Sequence, residues 1–519
     1  MSNYQYQDSM TDQYIGTAQG RYQSCMLDRE VFLERARDSS ELTLPTLIPP
    51  KSASNVTRYP TPYQGIGARG VNNLASKLLL ALVPPNSPFF RMKIDDFVIK
   101  DLQGDENLKT DIEASLSDIE RAIMTDIETN ADRVAIFEAL KHLIVAGNVL
   151  LYVSENGLRV FSLDRYICKR DPMGNVKEIV TKESLSYNTL STDIQKLIGG
   201  RLEADEKNCD LYTYIYREKN KYVVYQEIKG LEVPKSRGSF PLDASPYIPL
   251  RWNRIDNEDY GRGFVEEYFG DLKSLEGLTK AIVEGSAAAS KVLFMVSPSG
   301  TTRARKLAES PNGAIIEGQS GDVSVLQLNK FADFRIAYDT MARIEQRLQL
   351  AFLLNASVQR DAERVTAEEI RYMAQELEDT LGGVYSILSQ EFQLPFITRK
   401  MRMMEKAGKL PQLPKDTVKP SIITGLEALG RGNDKNKLIS FLSTLAGTLG
   451  AEVIQQYVNV PDAIKRLATS EGIDPKGLIK TEQEIQAQMQ QQQLLQAAQN
   501  IQPDQIQQAV DAVAQTQGE

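Results

Sequence analysis

LLNASVQRDAERVTAEEIRYMAQELEDTLGGVYSILSQEFQL, residues Leu353–Leu394, is the stretch that decides the fold. Its second half predicts a long helix that begins at Thr366, whose hydroxyl can cap the first turn while Glu369 reaches back to the cap residue. Apolar residues then recur at steps of three and four on one helix face: Ile370, Met373, Leu377, Leu381, Val384, Leu388 and Phe392. We expect a bend at Gly382-Gly383 and an end before Pro395, which cannot continue a helix.

A charged segment, residues 355–365, precedes this helix and has no capping signal of its own. It carries two arginines, Arg360 and Arg364, and two acids, Asp361 and Glu363. One interpretation is an ordinary surface loop before a core helix. The other is a segment whose balanced charges have a function.

Length and charge limit the class of protein. The chain has 519 residues, of which 42% are hydrophobic, so we expect more than one domain and a sizeable core. Its net charge is −9, from 60 basic and 69 acidic residues. Affinity for nucleic acid comes largely from phosphate contacts by basic residues. An acidic chain therefore leaves two interpretations. Either the protein does not meet nucleic acid, or it meets DNA that must slide past without sticking.

The three cysteines, Cys25, Cys168 and Cys209, are few and far apart, which favours buried thiols in a reducing compartment over a disulfide framework. The first residues, MSNYQYQDSMTDQY, lack the pattern of a signal peptide. The longest near-apolar run, Leu78–Pro85, is too short to span a membrane. We therefore expect a soluble protein made in the cytoplasm.

Motifs for catalysis are weak or absent. Gly65–Gly70 spells GxGxxG, but a dinucleotide site needs a strand before it, and the two prolines in Tyr59–Tyr63 argue against one. There is a single histidine, His142, inside an apolar helical stretch, so a structural role is favoured over a metal ligand. No P-loop motif occurs. The sequence thus predicts no enzyme, no cofactor and no metal.

The rest of the chain predicts helices flanking two β-rich parts. Helices are expected at Asp28–Ser39, at Ala68–Leu82, and across Leu108–Ala146 with a break near Asn130. A β-rich insert covers about residues 148–252, with hairpin turns at Asn156-Gly157 and Pro172–Asn175. Beyond it come a helix at Gly263–Lys291, a small β module, and a helix at Ala332–Leu354. Within the module we expect strands at Val292–Val296, Ala314–Ile316 and Val323–Leu328.

Four long segments, in this order along the chain, carry a family resemblance. They are QGIGARGVNNLASKLLLALVPP (Gln64–Pro85), FEALKHLIVAGNVLLYV (Phe137–Val153), YIPLRWNRIDNEDYGRGFVEEYFGDLKSLEGL (Tyr247–Leu278) and ERVTAEEIRYMAQELEDTLGGVYSILSQEFQLP (Glu363–Pro395). Together they resemble the portal proteins, or head-to-tail connectors, of autographivirus-type short-tailed bacteriophages. The resemblance covers roughly Asp28–Leu429 and fades in the small β module and after about Gly430.

The resemblance implies an α+β, mainly helical portal-protein fold with long stem and wing helices, a β-rich wing insert and a small β clip module. It divides the chain into a wing (1–262, with the long helix and its return at 366–424), stem helices (263–290 and 332–354), a clip (291–331), a tunnel loop (355–365), and a crown with a Gln-rich C-terminal extension (425–519).

It also implies a non-enzymatic subunit of a dodecameric ring at one capsid vertex of the virion. Double-stranded DNA would pass through its channel during packaging and ejection. The implied partners are the terminase, the tail adaptor, the major capsid protein, the scaffolding protein and internal core proteins, with no membrane. Two alternatives stay open: a ring adaptor of the tail, although such adaptors are shorter and lack a helix–clip–helix order, and a nucleotide-dependent enzyme that uses residues 65–70.

Two sets of site residues follow from the resemblance. Channel residues in the tunnel loop would be Asn355, Gln359, Arg360, Asp361, Glu363 and Arg364. Docking residues in the clip, for terminase and tail adaptor, would be Arg303, Arg305, Lys306, Glu317 and Asp322. Arg360 and Arg364 are the expected phosphate partners; alternatively, they pair with the nearby acids or across subunits.

Replacing both Arg360 and Arg364 with alanine should leave rings and empty heads intact but reduce the number of heads that retain full-length DNA. The reason is that the loop would lose its positive contacts with phosphate while its two acids remain. Counting DNA-filled heads by electron microscopy measures this. A normal count with a normally stable packaged genome would show that the loop neither grips nor gates DNA.

Overall fold

A computed structural model describes most of the chain. It covers residues 16–51, 58–85, 88–94, 106–199, 208–289, 293–311, 313–326, 331–354, 381–411, 418–422 and 438–448, with isolated positions between 458 and 467. The chain divides into two compact units, Met1–Gly425 and Leu426–Glu519. In the second unit the described part is essentially one helix, residues 438–448. The elements below belong to the first unit.

The N-terminal part consists mainly of helices. They are α1 (Ala18–Glu41), α2 (Ile66–Leu82), α3 (Glu106–Thr129) and α4 (Asp132–Ala146), with the short strand β1 (Phe90–Ile94) before α3. The predicted break near Asn130 is confirmed, and α4 ends at Gly147, whose positive φ of 71° suits glycine. Helix α1 starts ten residues before the predicted Asp28. Its first turn is capped from a distance, because Glu227 accepts hydrogen bonds from the N–H groups of Ala18 (2.8 Å) and Gln19 (3.2 Å).

The β-rich insert forms two sheets. The strands are β2 (Asn148–Ser154), β3 (Gly157–Phe161), β4 (Tyr166–Arg170), β5 (Val176–Ser186), β6 (Asn208–Glu218), β7 (Lys221–Ile228), β8 (Leu231–Glu232), β9 (Gly238–Pro241) and β10 (Tyr247–Arg251), with helix α5 (Thr192–Ile198) between β5 and β6. One sheet has the order β10-β2-β3; the other has the order β4-β5-β6-β7-β8, with β9 also paired to β7. Both predicted hairpins are confirmed. Helix α5 had not been expected.

Strand β2 lies between two hydrophobic cores, because both of its faces are buried. Val149, Leu151 and Val153 face the main core, to which the helices α2–α4 also contribute side chains. The alternation of these apolar residues predicts this. Leu150 is equally buried, but it belongs to a second core with Leu33 of α1 and Phe161. A strand buried on both faces reads as a continuous apolar run rather than an alternating one. This strand therefore joins the helical part to the sheets.

The remaining elements precede, overlap and follow the stretch Leu353–Leu394. They are α6 (Phe264–Glu267), α7 (Phe269–Ala289), β11 (Leu293–Val296), α8 (Ala304–Glu309), β12 (Val323–Leu326), α9 (Phe331–Ala351), a helix at residues 381–388, a π turn at Ser389–Gln393, α10 (Leu394–Lys406) and β13 (Val418–Ile422). Strand β13 pairs with β1, from Phe90↔Ile422 to Ile94↔Val418. The fold class, α+β and mainly helical, is confirmed.

The predicted helix end before Pro395 is wrong. The chain passes through the π turn Ser389–Gln393, where the N–H of Leu394 reaches back five residues to Ser389, and continues as α10 with Pro395 in its first turn. A proline is tolerated at the start of a helix because its missing N–H has no partner there in any case. The wider π turn shifts the hydrogen-bond ladder, so one helical run continues past the proline.

Three further expectations need correction or fall outside the described residues. Residues Ala314–Ile316 form no strand, and α8 stands in the module where no helix had been predicted. The helix predicted as Gly263–Lys291 is divided at Tyr268 into α6 and α7. The start of the long helix at Thr366, and everything between 355 and 380, lies outside the described residues.

A buried ion cluster ties α10 to the α3–α4 hairpin. The Lys400 side chain is fully buried, and its Nζ lies 2.9 Å from Asp126 Oδ2 and 2.7 Å from Asp132 Oδ2. Lys409 adds a contact of 3.2 Å to Asp126. Burial raises the pKa of Asp132, whereas at Asp126 burial is outweighed by the two lysines and the pKa is lowered.

His142 should make the fold weaker in acid. It is buried in α4, its Nδ1 makes no hydrogen bond, and burial lowers its pKa to about 4. The unfolded chain has a histidine pKa of about 6.5, so between these values the unfolded state binds more protons, and stability falls as the pH falls through this window. Urea unfolding midpoints of wild type and His142→Gln, measured from pH 7 to 4, should show a shallower loss in the variant. Parallel curves would contradict this role for His142.

Candidate functional site

Helices α7 and α9 form an antiparallel pair that carries a small module at its end. The two helices approach closely at Gly285, where an added Cβ would lie 2.7 Å from the Phe334 ring. Farther along, Thr279 contacts the sulfur of Met341. Arg347 and Asp271 form an ion pair of 2.7 Å near the end of α9 and the start of α7. The pair is thus held at several points along its length.

The β module, residues 293–326, begins and ends at the same place. Strands β11 and β12 are antiparallel and pair from Leu293↔Leu326 to Val296↔Val323. Directly opposite residues in such a ladder have Cα atoms about 5 Å apart. The first and last described residues of the module therefore lie side by side.

Asp322 fixes the loop that follows β11. Its Oδ2 accepts hydrogen bonds from the backbone N–H groups of Thr301 (2.7 Å) and Thr302 (3.0 Å) and from both hydroxyls at 3.1 Å. The N–H of Thr302, together with the other donors, holds the pKa of Asp322 below its ordinary range. Gly300 is required beside it, because an added Cβ would lie 2.5 Å from the carboxylate carbon. Asp322 was predicted as a docking residue; its carboxylate is already used within the module.

The other predicted docking residues lie on the surface of the module. Arg303, Lys306 and Glu317 are exposed. Arg305 is also exposed and pairs with its helix neighbour Glu309, at 2.9 Å. Sequence reasoning missed two exposed apolar residues of the same module, Ile315 and Met295, whose exposed fractions are 102% and 52%. The module therefore presents three basic side chains together with apolar ones.

The predicted channel residues, Asn355, Gln359, Arg360, Asp361, Glu363 and Arg364, lie outside the described residues. The structure describes the chain up to Leu354 and again from Leu381. On the N-terminal side, α9 is followed by Phe352 and Leu353, whose carbonyls accept hydrogen bonds from Asn73 of α2. On the C-terminal side, Tyr385 donates to the carbonyl of Ala81. Sequence reasoning missed these anchors.

The glycine segment 65–70 serves packing. The preceding residues, 58–64, form no strand, and the helix begins at Ile66. An added Cβ at Gly67 would lie 2.5 Å from the carbonyl oxygen of Leu42, and one at Gly70 would lie 2.5 Å from the Phe352 ring. These glycines let α2 approach its neighbours closely, which is a different use from cradling a pyrophosphate.

Within the described ranges, no three His, Cys, Asp or Glu side chains are grouped so that they could share a metal ion. The three cysteines are buried free thiols. No helix in the part of the chain that the structure describes is long and apolar enough to cross a membrane.

Comparison with known protein families gives a match over most of the chain. The model of the matching family, "Bacteriophage head to tail connecting protein", covers residues 16–479. The chain therefore belongs to the bacteriophage head-to-tail connecting proteins. This confirms the resemblance seen in the sequence.

Three relatives show how close the match is. The portal protein of Escherichia phage T7 is 44% identical over 486 residues, covering 92% of this chain and 90% of that protein. The portal protein of Enterobacteria phage T3 is 44% identical over 487 residues, covering 91% and 90%. The portal protein of Enterobacteria phage SP6 is 31% identical over 419 residues, covering 80% of each.

Replacing Asp322 with alanine should loosen the loop after β11, because the N–H groups of Thr301 and Thr302 would lose their acceptor. Hydrogen exchange of a peptide covering residues 297–303 should become faster, with Asp322→Asn intermediate since its amide oxygen can still accept. Glu317→Ala, which removes an exposed acid from the same module, is the matched control. Equal exchange in Asp322→Ala and wild type would mean that the carboxylate does not hold the loop.

Proposed function

We propose that this chain is the portal subunit of a phage particle, a non-enzymatic protein that assembles into a dodecameric ring at one capsid vertex. Double-stranded DNA enters the head through the ring during packaging and leaves through it at infection. The observation that carries the proposal is the family match over residues 16–479, with relatives named portal proteins at 44% identity. The protein would be made in the host cytoplasm and end at the portal vertex of the virion.

Exposed apolar side chains on the helix pair support assembly into a ring. Ile336 and Leu350 of α9 are 67% and 60% exposed, and Val283 of α7 is 50% exposed. Ile336 and Leu350 are separated by about four helical turns and so lie on the same side of α9. Leu348, which is fully buried, lies on the other side toward the core. A closed ring needs complementary faces on each subunit, and an apolar stripe of this kind suits one of them.

The β module is the proposed docking site for the terminase and later for the tail adaptor. Its surface offers Arg303, Arg305 and Lys306 with the exposed Ile315 and Met295. Interfaces commonly combine apolar anchors with arginine. Because the strand register brings residues 293 and 326 together, the module extends from the helix pair without entering the core.

The remaining assignments follow the family pattern. Residues 263–290 and 332–354 form the stem, 291–331 the clip and 355–365 the DNA-contacting tunnel loop. Residues 1–262 and 366–424 form the wing, and 425–519 the crown. Strand β1 lies in residues 1–262 and β13 in residues 366–424. Their pairing joins the two separate parts of the wing and so supports the wing assignment. The major capsid protein, the scaffolding protein and the internal core proteins would contact the ring. The acidic balance of the chain, −9, suits a channel through which DNA must slide.

Purified wild-type protein should form closed rings with a central hole, and Ile336→Asp/Leu350→Asp should not, because burying two carboxylates between subunits is unfavourable. Met173→Asp is the matched control, since Met173 is 72% exposed in the turn between β4 and β5. Negative-stain microscopy and light scattering measure the outcome. A wild-type protein that stays a monomer of 58.0 kDa at micromolar concentration would contradict the proposed ring.

A further inference from the structure

A groove of about 1030 Å³ lies between helix α1 and the two sheets, away from the β module and the helix pair. Its lining comes mainly from α1, from strands β3 and β5 and from the turn before β4. Six lining residues are basic and three are acidic, so the groove has an excess of positive charge although the whole chain has a net charge of −9. The basic residues are Arg29, Arg37, Lys51, Arg159, Arg165 and Lys182.

Two of these cations have no carboxylate partner. Arg29 and Arg165 form no ion pair with any residue that the structure describes. The third acid of the lining, Asp164, accepts a hydrogen bond from the hydroxyl of Ser162. The other four cations are neutralised: Arg37 and Lys51 share Glu30, Arg159 pairs with Glu183, and Lys182 pairs with Asp210.

Arg29 is held in place by uncharged acceptors. Its Nη1 donates to the Tyr22 hydroxyl at 2.7 Å and to the carbonyls of Asp164 (2.9 Å) and Tyr166 (3.1 Å). These two carbonyls belong to the residues on either side of Arg165, so Arg29 contacts the backbone that carries the second unpaired cation. Arg29 is only 4% exposed, and a buried cation without a counterion is costly. The fold therefore maintains uncompensated positive charge at one place in the groove.

Apolar side chains border the same groove. Met26 and Leu27 of α1 line it and are 39% and 75% exposed. Leu185 lines it from the side of β5. One turn along α1 from Leu27, Val31 is a further exposed apolar residue. Arginine beside exposed apolar side chains is a composition typical of protein–protein interfaces.

Size and charge indicate what would fill the groove. Pockets for small molecules span about 300–1,000 Å³, so this groove is far larger than a single phosphate or carboxylate ion requires. A DNA backbone would bring phosphates close to the three acids of the lining and would leave the apolar side chains without partners. A peptide segment that carries both carboxylates and apolar side chains complements all parts of the lining.

We propose that the groove between α1 and β5 docks an acidic segment of a partner protein. Carboxylates of the segment bind Arg29 and Arg165, since a guanidinium group can hold a carboxylate through two parallel hydrogen bonds. Apolar side chains of the segment pack on Met26 and Leu27. The inference does not depend on the ring or on the DNA channel. Its rivals are a second copy of this chain and duplex DNA.

The test uses purified full-length protein and a fluorescein-labelled peptide of three Glu-Glu-Leu-Leu repeats, followed by fluorescence anisotropy. Comparison probes are the same peptide with Gln in place of Glu, the same peptide with Ser in place of Leu, and labelled duplex DNA. Arg165→Glu and Leu27→Ser change exposed residues of the groove. Arg121→Glu and Val134→Ser are the matched controls, because both residues are exposed on α3 and α4 and do not line the groove.

We expect the wild type to bind the Glu/Leu peptide, and Arg165→Glu and Leu27→Ser to bind it about tenfold more weakly, as for the loss of one charge-assisted hydrogen bond or one buried leucine. Both controls should bind like the wild type, whereas the Gln and Ser peptides should bind about tenfold more weakly. Slower hydrogen exchange across Tyr22–Glu30 on addition of the Glu/Leu peptide should locate the contact at α1.

Absence of peptide binding by the wild type, or equal binding by Arg165→Glu, overturns the proposal. Tighter binding of the duplex than of the peptide also overturns it and makes the groove a nucleic-acid site. Light scattering tests the remaining rival. A changed oligomeric state in Arg165→Glu, with an unchanged state in Arg121→Glu, would assign the groove to a contact between copies of this chain instead.

Discussion

The buried ammonium group of Lys400 sets a constraint on which much of the subunit depends. It lies between Asp126 at the end of α3 and Asp132 at the start of α4, so the return helix α10 is fixed against both. Asp132 also accepts the N–H of Leu158 at 3.0 Å, which places strand β3 in the same cluster. An unpaired charge in this position would cost several kcal/mol, so the helices and the hairpin must come together in one arrangement.

A second ion pair fixes the π turn, which directly precedes α10, against the sheet β10-β2-β3. Arg251, at the end of β10, is 2% exposed and bonds to Glu391 of the π turn at 2.6 Å. The π turn is what brings Glu391 to Arg251 and Gln393 to the end of α2 within one short segment. Its place in the chain, next to Pro395, is where an ordinary helix would have stopped.

Local signals in the sequence predicted local structure well. The hairpin at Asn156-Gly157, the helix end at Gly147 and the paired helices around the β module could all be read from spacing and turn residues. Features that depend on distant partners could not. The cap of α1 comes from Glu227, and β1 pairs with a strand more than three hundred residues away. In the candidate site, Asp322 looks like any exposed acid until the fold brings Thr301 and Thr302 to it.

The strand register of the β module has an evolutionary consequence. Since Leu293 and Leu326 stand opposite each other, the two ends of the module lie side by side. None of the described residues of the module belongs to the four hydrophobic cores, so mutations within it leave the composition of those cores unchanged. A segment whose ends lie side by side can be exchanged by recombination as one piece, because the two ends still pair in the same register.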